Sequence, residues 1–212
     1  MNETEKVKKL LDTKCAVIVV DVQNDFCHEK GACALRGSDV SGVKKMIPNL
    51  RLLLDAAHKN EIPVIYIQTI HTVETDSDAW AGRSGGNSAK VCRAGSWGIE
   101  FYEVSPAEGD IIVNKHRYSA FINTRLDSVL RTLKVETLLM TGVATNVCVE
   151  STARDGYMMD YNILFVSDCC ASFSKEAHAM TLQNIDKHFG VVSDSGEITS
   201  LLGGKDKMPI AI

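Results

Sequence analysis

The chain has no excess of basic residues, no long apolar run and no paired-cysteine motif. It holds 23 Lys and Arg against 27 Asp and Glu, a formal net charge of -4. That field offers nothing to a nucleic acid or an anionic membrane surface, so neither partner is expected. No apolar run reaches the ~18 residues that a membrane-spanning helix requires. The N-terminal stretch MNETEKVKKLLDTK is charged and lacks the apolar centre of a signal peptide, which makes the cytoplasm the expected location. The 7 cysteines are Cys15, Cys27, Cys33, Cys92, Cys148, Cys169 and Cys170, and none belongs to a CxxC pair. The usual spacing of a structural zinc site is therefore missing. Their odd number and irregular spacing indicate reduced thiols, most of them small buried hydrophobes.

What remains is an ordinary globular composition. The 212 residues are 45% apolar and 24% charged, which suits one domain spanning residues 1–212. After a polar lead-in, residues 15–20 (CAVIVV) form a continuous apolar run ending in Asp21, the pattern of a strand covered on both faces. Residues 41–60 place Val43, Met46, Ile47, Leu50, Leu53, Leu54 and Ala57 at helical spacing. Further strands are expected at 61–67, 110–113, 137–140 (ended by Gly142), 162–166 and 191–192. Helices are expected from Asn123 to Lys134, from Asn146 to Asp160 and from Lys175 to His188. Alternating strands and helices imply a three-layer α/β/α fold with a mainly parallel six-stranded sheet. Residues 69–109 read as a long loop carrying both tryptophans, Trp80 and Trp97. Such a loop is either a substrate-facing lid or a cover for the sheet edge.

In open parallel sheets, ligands bind beyond the carboxyl ends of the strands. Asp21, Lys115 and Cys148 all stand at or just past such ends. Thr145 or Asn146 is a candidate N-cap that puts Cys148 in the first turn of a helix, where free amides and the dipole favour a thiolate. Taken alone, Cys148 is one thiol among seven, Asp21 is a general base or a turn cap, and Lys115 is a catalytic cation or a solvated loop residue. A lysine beside Asp21 and Cys148 would lower the thiol pKa. His116 adjoins Lys115, but none of the six histidines is clearly placed to pair with the cysteine.

Three ordered segments, AVIVVDVQNDF, GDIIVNKHRYSAFINTRLDSVLR and LLMTGVATNVCVESTARDGY, resemble the isochorismatase-like cysteine hydrolases. The likeness runs from about residue 15 to 195, with RYSAF and GVATNVCVEST closest to the ureidoacrylate amidohydrolase branch. N-carbamoylsarcosine amidase-type members are also similar. The resemblance implies that Asp21 is the general base, Lys115 the catalytic lysine and Cys148 the nucleophile. It further implies an oxyanion hole from the backbone amides of Ala144 and Cys148, and a cis peptide between Val143 and Ala144. The implied reaction is hydrolysis of a C–N bond in a small ureide or N-carbamoyl compound through a thioester, by a homodimer or homotetramer.

Departures from the family narrow this expectation. Nicotinamidases bind a metal through an Asp-x-His pair, and here the matching stretch is Thr69-Ile70-His71, so no metal and no cofactor are expected. Cys148 argues against the branch that cleaves isochorismate. Gln23, Asn24, Phe26, Trp80, Trp97, Arg117, Tyr118 and Phe121 are candidates to face substrate. Each has a structural alternative: Gln23 and Asn24 as caps, Arg117 as a structural ion pair, and the aromatics as packing under the loop. The alternative functions are a nicotinamide- or biuret-directed amidase and a non-catalytic domain with a reactive thiol.

Overall fold

A computed structural model describes residues 2–83 and 90–204. Its centre is a six-stranded, wholly parallel sheet in the order β3-β2-β1-β4-β5-β6. The strands are β1 (Cys15–Val20), β2 (Val64–Thr69), β3 (Ile111–Lys115), β4 (Thr137–Val143), β5 (Asn162–Ala171) and β6 (Val191–Ser193). Every residue of β1 is buried, as its unbroken apolar run requires. Its side chains alternate between two cores. Val17 and Val19 join one cluster, and Ala16, Ile18 and Val20 join the other. The three-layer architecture expected from the alternating pattern is the one observed.

On the first face pack α1 (Glu3–Leu11), α4 (Ser41–Lys59) and α9 (Ser195–Gly203). The buried residues of α4 are the seven apolar positions expected from its periodicity. Pro48 lies inside this helix on an exposed position, where the carbonyl it leaves unbonded can meet water. The polar lead-in conceals α1, whose Asn2–Glu5 capping box starts a helix that buries only Val7 and Leu11. The second face carries α6 (Leu126–Thr132), α7 (Glu150–Met158) and α8 (Lys175–His188).

Several boundaries differ from expectation for local reasons. Asn123 does not open α6, because its φ of 55° is left-handed and the amide of Leu126 donates to Thr124 Oγ1 instead. β4 runs through Gly142, whose φ of 108° lets the strand pass close to Val20. β3 extends through Lys115, so the lysine ends the strand rather than following it. The long segment after β2 is not featureless. It contains a 3₁₀ turn at Val73–Thr75, the short α5 (Asp78–Gly82) and another 3₁₀ turn at Trp97–Ile99. Two further short helices, α2 (Asn24–Cys27) and α3 (Ala32–Leu35), follow β1. Among the described residues, no helix is long and apolar enough to cross a membrane.

Candidate active site

The strand order brings four residues to one sheet edge in spatial sequence: Lys115 ends β3, Thr69 ends β2, Asp21 follows β1 and Cys148 follows β4. Thr69 and Lys115 are direct register partners. Asp21 adopts a left-handed φ of 52° as the chain leaves β1, and its amide donates to the Ile67 carbonyl. This holds the turn against β2. Asp21 is 0% exposed and Lys115 2%. Lys115 Nζ lies 2.7 Å from Asp21 Oδ2. The ammonium also donates to Thr69 Oγ1 at 2.8 Å and to the Arg117 carbonyl at 2.9 Å. Thr69 Oγ1 in turn donates to Asp21 Oδ1 at 2.9 Å.

Cys148 sits in a π-helical turn, Thr145–Val149, that leads into α7 and is capped by Ala144 rather than by Thr145 or Asn146. The Val143–Ala144 peptide is cis. Thr152 Oγ1 donates to the Cys148 carbonyl and accepts the Ala120 amide, tying this turn to the segment beyond Lys115. Thr145 Oγ1 contacts His178 Nδ1 at 2.9 Å. Burial pushes the Cys148 thiol well above its ordinary range; the Lys115 charge opposes this and the Asp21 charge reinforces it. The lysine neighbour thus acts on the thiol in the expected direction, but burial is the larger effect. Burial also works against the charge on Lys115, but Asp21 and Cys148 prevail and raise its pKa.

These residues open onto a cavity of about 370 Å³, within the size range of small-molecule sites. Thr69, Lys115, Ala144 and Cys148 line it together with Phe26, Trp80, Arg117 and Tyr118. Trp80 lies between His71 and Tyr118, with ring centroids 5.3 and 5.0 Å away. Arg117 stacks over Trp80 at 5.0 Å, and its Nη1 donates to the carbonyls of Thr75 and His116. Arg36 and Arg83, which the sequence reading passed over, also line the cavity. Arg36 donates to Cys33 Sγ and Arg83 to the Tyr118 hydroxyl.

Other expectations need correction. Gln23 is fully buried and faces backbone, with Oε1 accepting from the Thr69 amide and Nε2 donating to the carbonyls of Thr69 and Ile99. Asn24 Nδ2 donates to the Trp97 carbonyl. Both amides fasten the segment around Trp97 to the sheet edge instead of meeting a ligand. Trp97 packs edge-on against His28, and Phe121 stacks on Tyr161. Of the long segment, the Trp80 end lines the cavity and the Trp97 end is tied to the sheet edge.

The donor set does not fit a metal. Where the metal-binding relatives have an aspartate, Thr69 offers a neutral hydroxyl already engaged by Lys115 and Asp21. His71 stands beside it with an Nδ1 that has no hydrogen-bond partner, and burial lowers its pKa to about 4. Among the described residues, no group of three or more His, Cys, Asp or Glu gathers in a metal-holding arrangement.

A parallel sheet whose strand ends gather a buried acid, lysine and thiol under a small cavity defines a hydrolase class, and sequence comparison gives it a family. Residues 15–197 match the isochorismatase domain. The chain is 36% identical over 203 residues to the ureidoacrylate amidohydrolase RutB of Acinetobacter baylyi, covering 88% of this chain and 83% of that protein. A cysteine hydrolase from Pseudomonas syringae pv. phaseolicola superposes with a TM-score of 0.79 at 30% identity, over 96% of this chain and 95% of the other. The N-carbamoylsarcosine amidase of Thermoplasma acidophilum superposes with a TM-score of 0.70 at 26% identity, over 86% and 96%. The chain belongs to the isochorismatase family and is a hydrolase of its amidohydrolase group, acting on amide C–N bonds.

Proposed function

We propose that the protein hydrolyses a small carboxylate-bearing ureide, of the kind that includes ureidoacrylate and N-carbamoyl amino acids, by covalent catalysis at Cys148. The observation that carries this reading is the buried Asp21–Lys115 ion pair beside the buried Cys148 thiol, with Lys115 and Cys148 lining one cavity. A thiol kept neutral by burial needs a base at the moment of attack, and Asp21 is the adjacent carboxylate. As Sγ bonds to the ureide carbonyl carbon, its proton passes to Asp21. The developing oxyanion is held by the amides of Ala144 and Cys148. Asp21 returns the proton to the departing nitrogen as the C–N bond breaks, which leaves a carbamoyl group on Sγ. Water, deprotonated by Asp21, then attacks the carbamoyl carbon; the C–S bond breaks to release carbamate, the departing thiolate takes the proton back from Asp21, and carbamate breaks down to ammonia and carbon dioxide. Lys115 remains charged throughout and steadies the acid in both of its states.

Arg36 and Arg83 support the carboxylate part of the reading, because they add positive charge to a cavity that no acidic side chain lines among the described residues. The name of the Acinetobacter relative points the same way. A panel of ureides with and without a carboxylate, together with nicotinamide and biuret, tests it by ammonia release. Carboxylate-bearing ureides are expected to lead the panel. Cys148→Ala and Asp21→Asn are each expected to lower kcat by at least about 1,000-fold. Preferential turnover of nicotinamide or biuret would overturn the substrate class, and full turnover by Cys148→Ala would overturn the mechanism.

A further inference from the structure

Thr69 fills the strand end between Asp21 and Lys115, and its hydrogen bonding has only one consistent direction. An ammonium can only donate, so in the 2.8 Å contact between Lys115 Nζ and Thr69 Oγ1 the hydroxyl accepts. Its single hydrogen is then committed to Asp21 Oδ1, 2.9 Å away. The other carboxylate oxygen is different. Oδ2 is buried, is approached by Lys115 Nζ at 2.7 Å, and belongs to the carboxylate that the Cys148 thiol is near enough to hydrogen-bond. With Oδ1 already holding the Thr69 hydrogen, Oδ2 is the oxygen left to take a proton from the thiol.

We propose that Thr69 is a positioning residue for proton transfer, saturating Asp21 Oδ1 so that Oδ2 alone exchanges protons with Cys148 and the leaving nitrogen. The proposal rests on the reading of Asp21 as the base. In the first half-reaction the thiol proton moves to Oδ2 as the S–C bond forms, and leaves Oδ2 for nitrogen as the C–N bond breaks. The Thr69–Oδ1 hydrogen bond persists through both steps and keeps the carboxyl from rotating. Thr69 is itself held firmly. Gln23 grips its backbone on both sides, accepting from its amide at 2.7 Å and donating to its carbonyl at 2.9 Å. Its β-branched side chain has few rotamers left in a strand. The buried glutamine that does not reach the cavity thus acts on the reaction through the residue it clamps.

Thr69→Val keeps the shape and removes the hydroxyl. It is expected to lower kcat about 10- to 100-fold while KM stays within about twofold, because valine keeps the shape of the cavity wall and the hydroxyl is already engaged by Asp21 and Lys115. Iodoacetamide labelling of Cys148, read by mass spectrometry, should slow about tenfold in the same variant. Thr69→Ser and Thr69→Ala lose the same methyl group and differ by the hydroxyl, so this pair decides the matter even where the valine variant folds poorly. Serine should restore kcat to within about threefold of the parent, and alanine should not. Unchanged kcat in Thr69→Val, a loss carried by KM, or equal impairment in the serine and alanine variants overturns the proposal. Cys148→Ala and Asp21→Asn run alongside separate the two readings. Their turnover would remove the nucleophile and base assignments, whereas their inactivity beside a fully active Thr69→Val removes only the role of Thr69.

Discussion

His71 is 3% exposed, lines the cavity and has an Nδ1 without a hydrogen-bond partner. Desolvation lowers its pKa to about 4, against the ordinary value of 6.5, with opposing help from Asp76. In the unfolded chain the imidazole takes up a proton near pH 6.5, but in the folded chain only near pH 4. Between those values the unfolded state binds more protons, so stability falls as the pH drops through this window. The full shift corresponds to about 3 kcal/mol, reached only below the folded-state value. Urea unfolding from pH 7 to 4 should show this loss, and His71→Gln should remove the part due to this residue. A parent and variant with the same pH slope would contradict the assignment. At this scale the sequence exposes residues by chemistry and by strand-end position, which is why Asp21, Lys115 and Cys148 are legible. Thr69 is not, because a strand threonine is ordinary until its neighbours are known. Gln23 and Asn24 mislead for a related reason: an amide serves a ligand or a backbone equally well, and only the fold decides.

The end of β4 shows how an element places the chemistry. Gly142 carries φ 108°, and a Cβ there would lie 2.1 Å from the Val20 carbonyl oxygen and 2.6 Å from its amide nitrogen. Both close atoms are backbone in the neighbouring central strand, so neither can move aside cheaply. Gly142→Ala is expected to destabilise the protein by about 3–4 kcal/mol and to displace the turn that carries Ala144 and Cys148. Chemical denaturation checks this, and a loss under about 1 kcal/mol would show that the close approach is not required. Periodicity revealed α4 because its seven apolar positions recur over several turns. It missed α1 and α9, whose short faces bury few residues and whose starts depend on Asn2 and Asp194 caps. It also blurred the Cys148 turn, since a single π-helical turn leaves no periodic trace.

For the molecule as a whole, the strand order matters more than any single motif. The order β3-β2-β1-β4 sets Lys115, Thr69, Asp21 and the Cys148 turn side by side, although Asp21 and Cys148 lie 127 positions apart in sequence. Sequence patterning gives the alternation of strands and helices, and hence the layered class and the sheet edge where ligands gather. It does not give the path of the 69–109 segment, which is set by long-range contacts such as the Gln23–Phe101 bridge and the Asn24 bond to Trp97. The central claim is that this assembled edge makes Cys148 a carbamoyl-transferring nucleophile. Peptide mass spectrometry of enzyme quenched through a pre-steady-state time course with a carboxylate-bearing ureide tests it most directly. The account predicts a transient gain of about 43 Da on the peptide bearing Cys148, a carbamoyl group in place of the thiol hydrogen. Turnover with every thiol unmodified throughout, or an adduct on any of the other six cysteines instead, would contradict it.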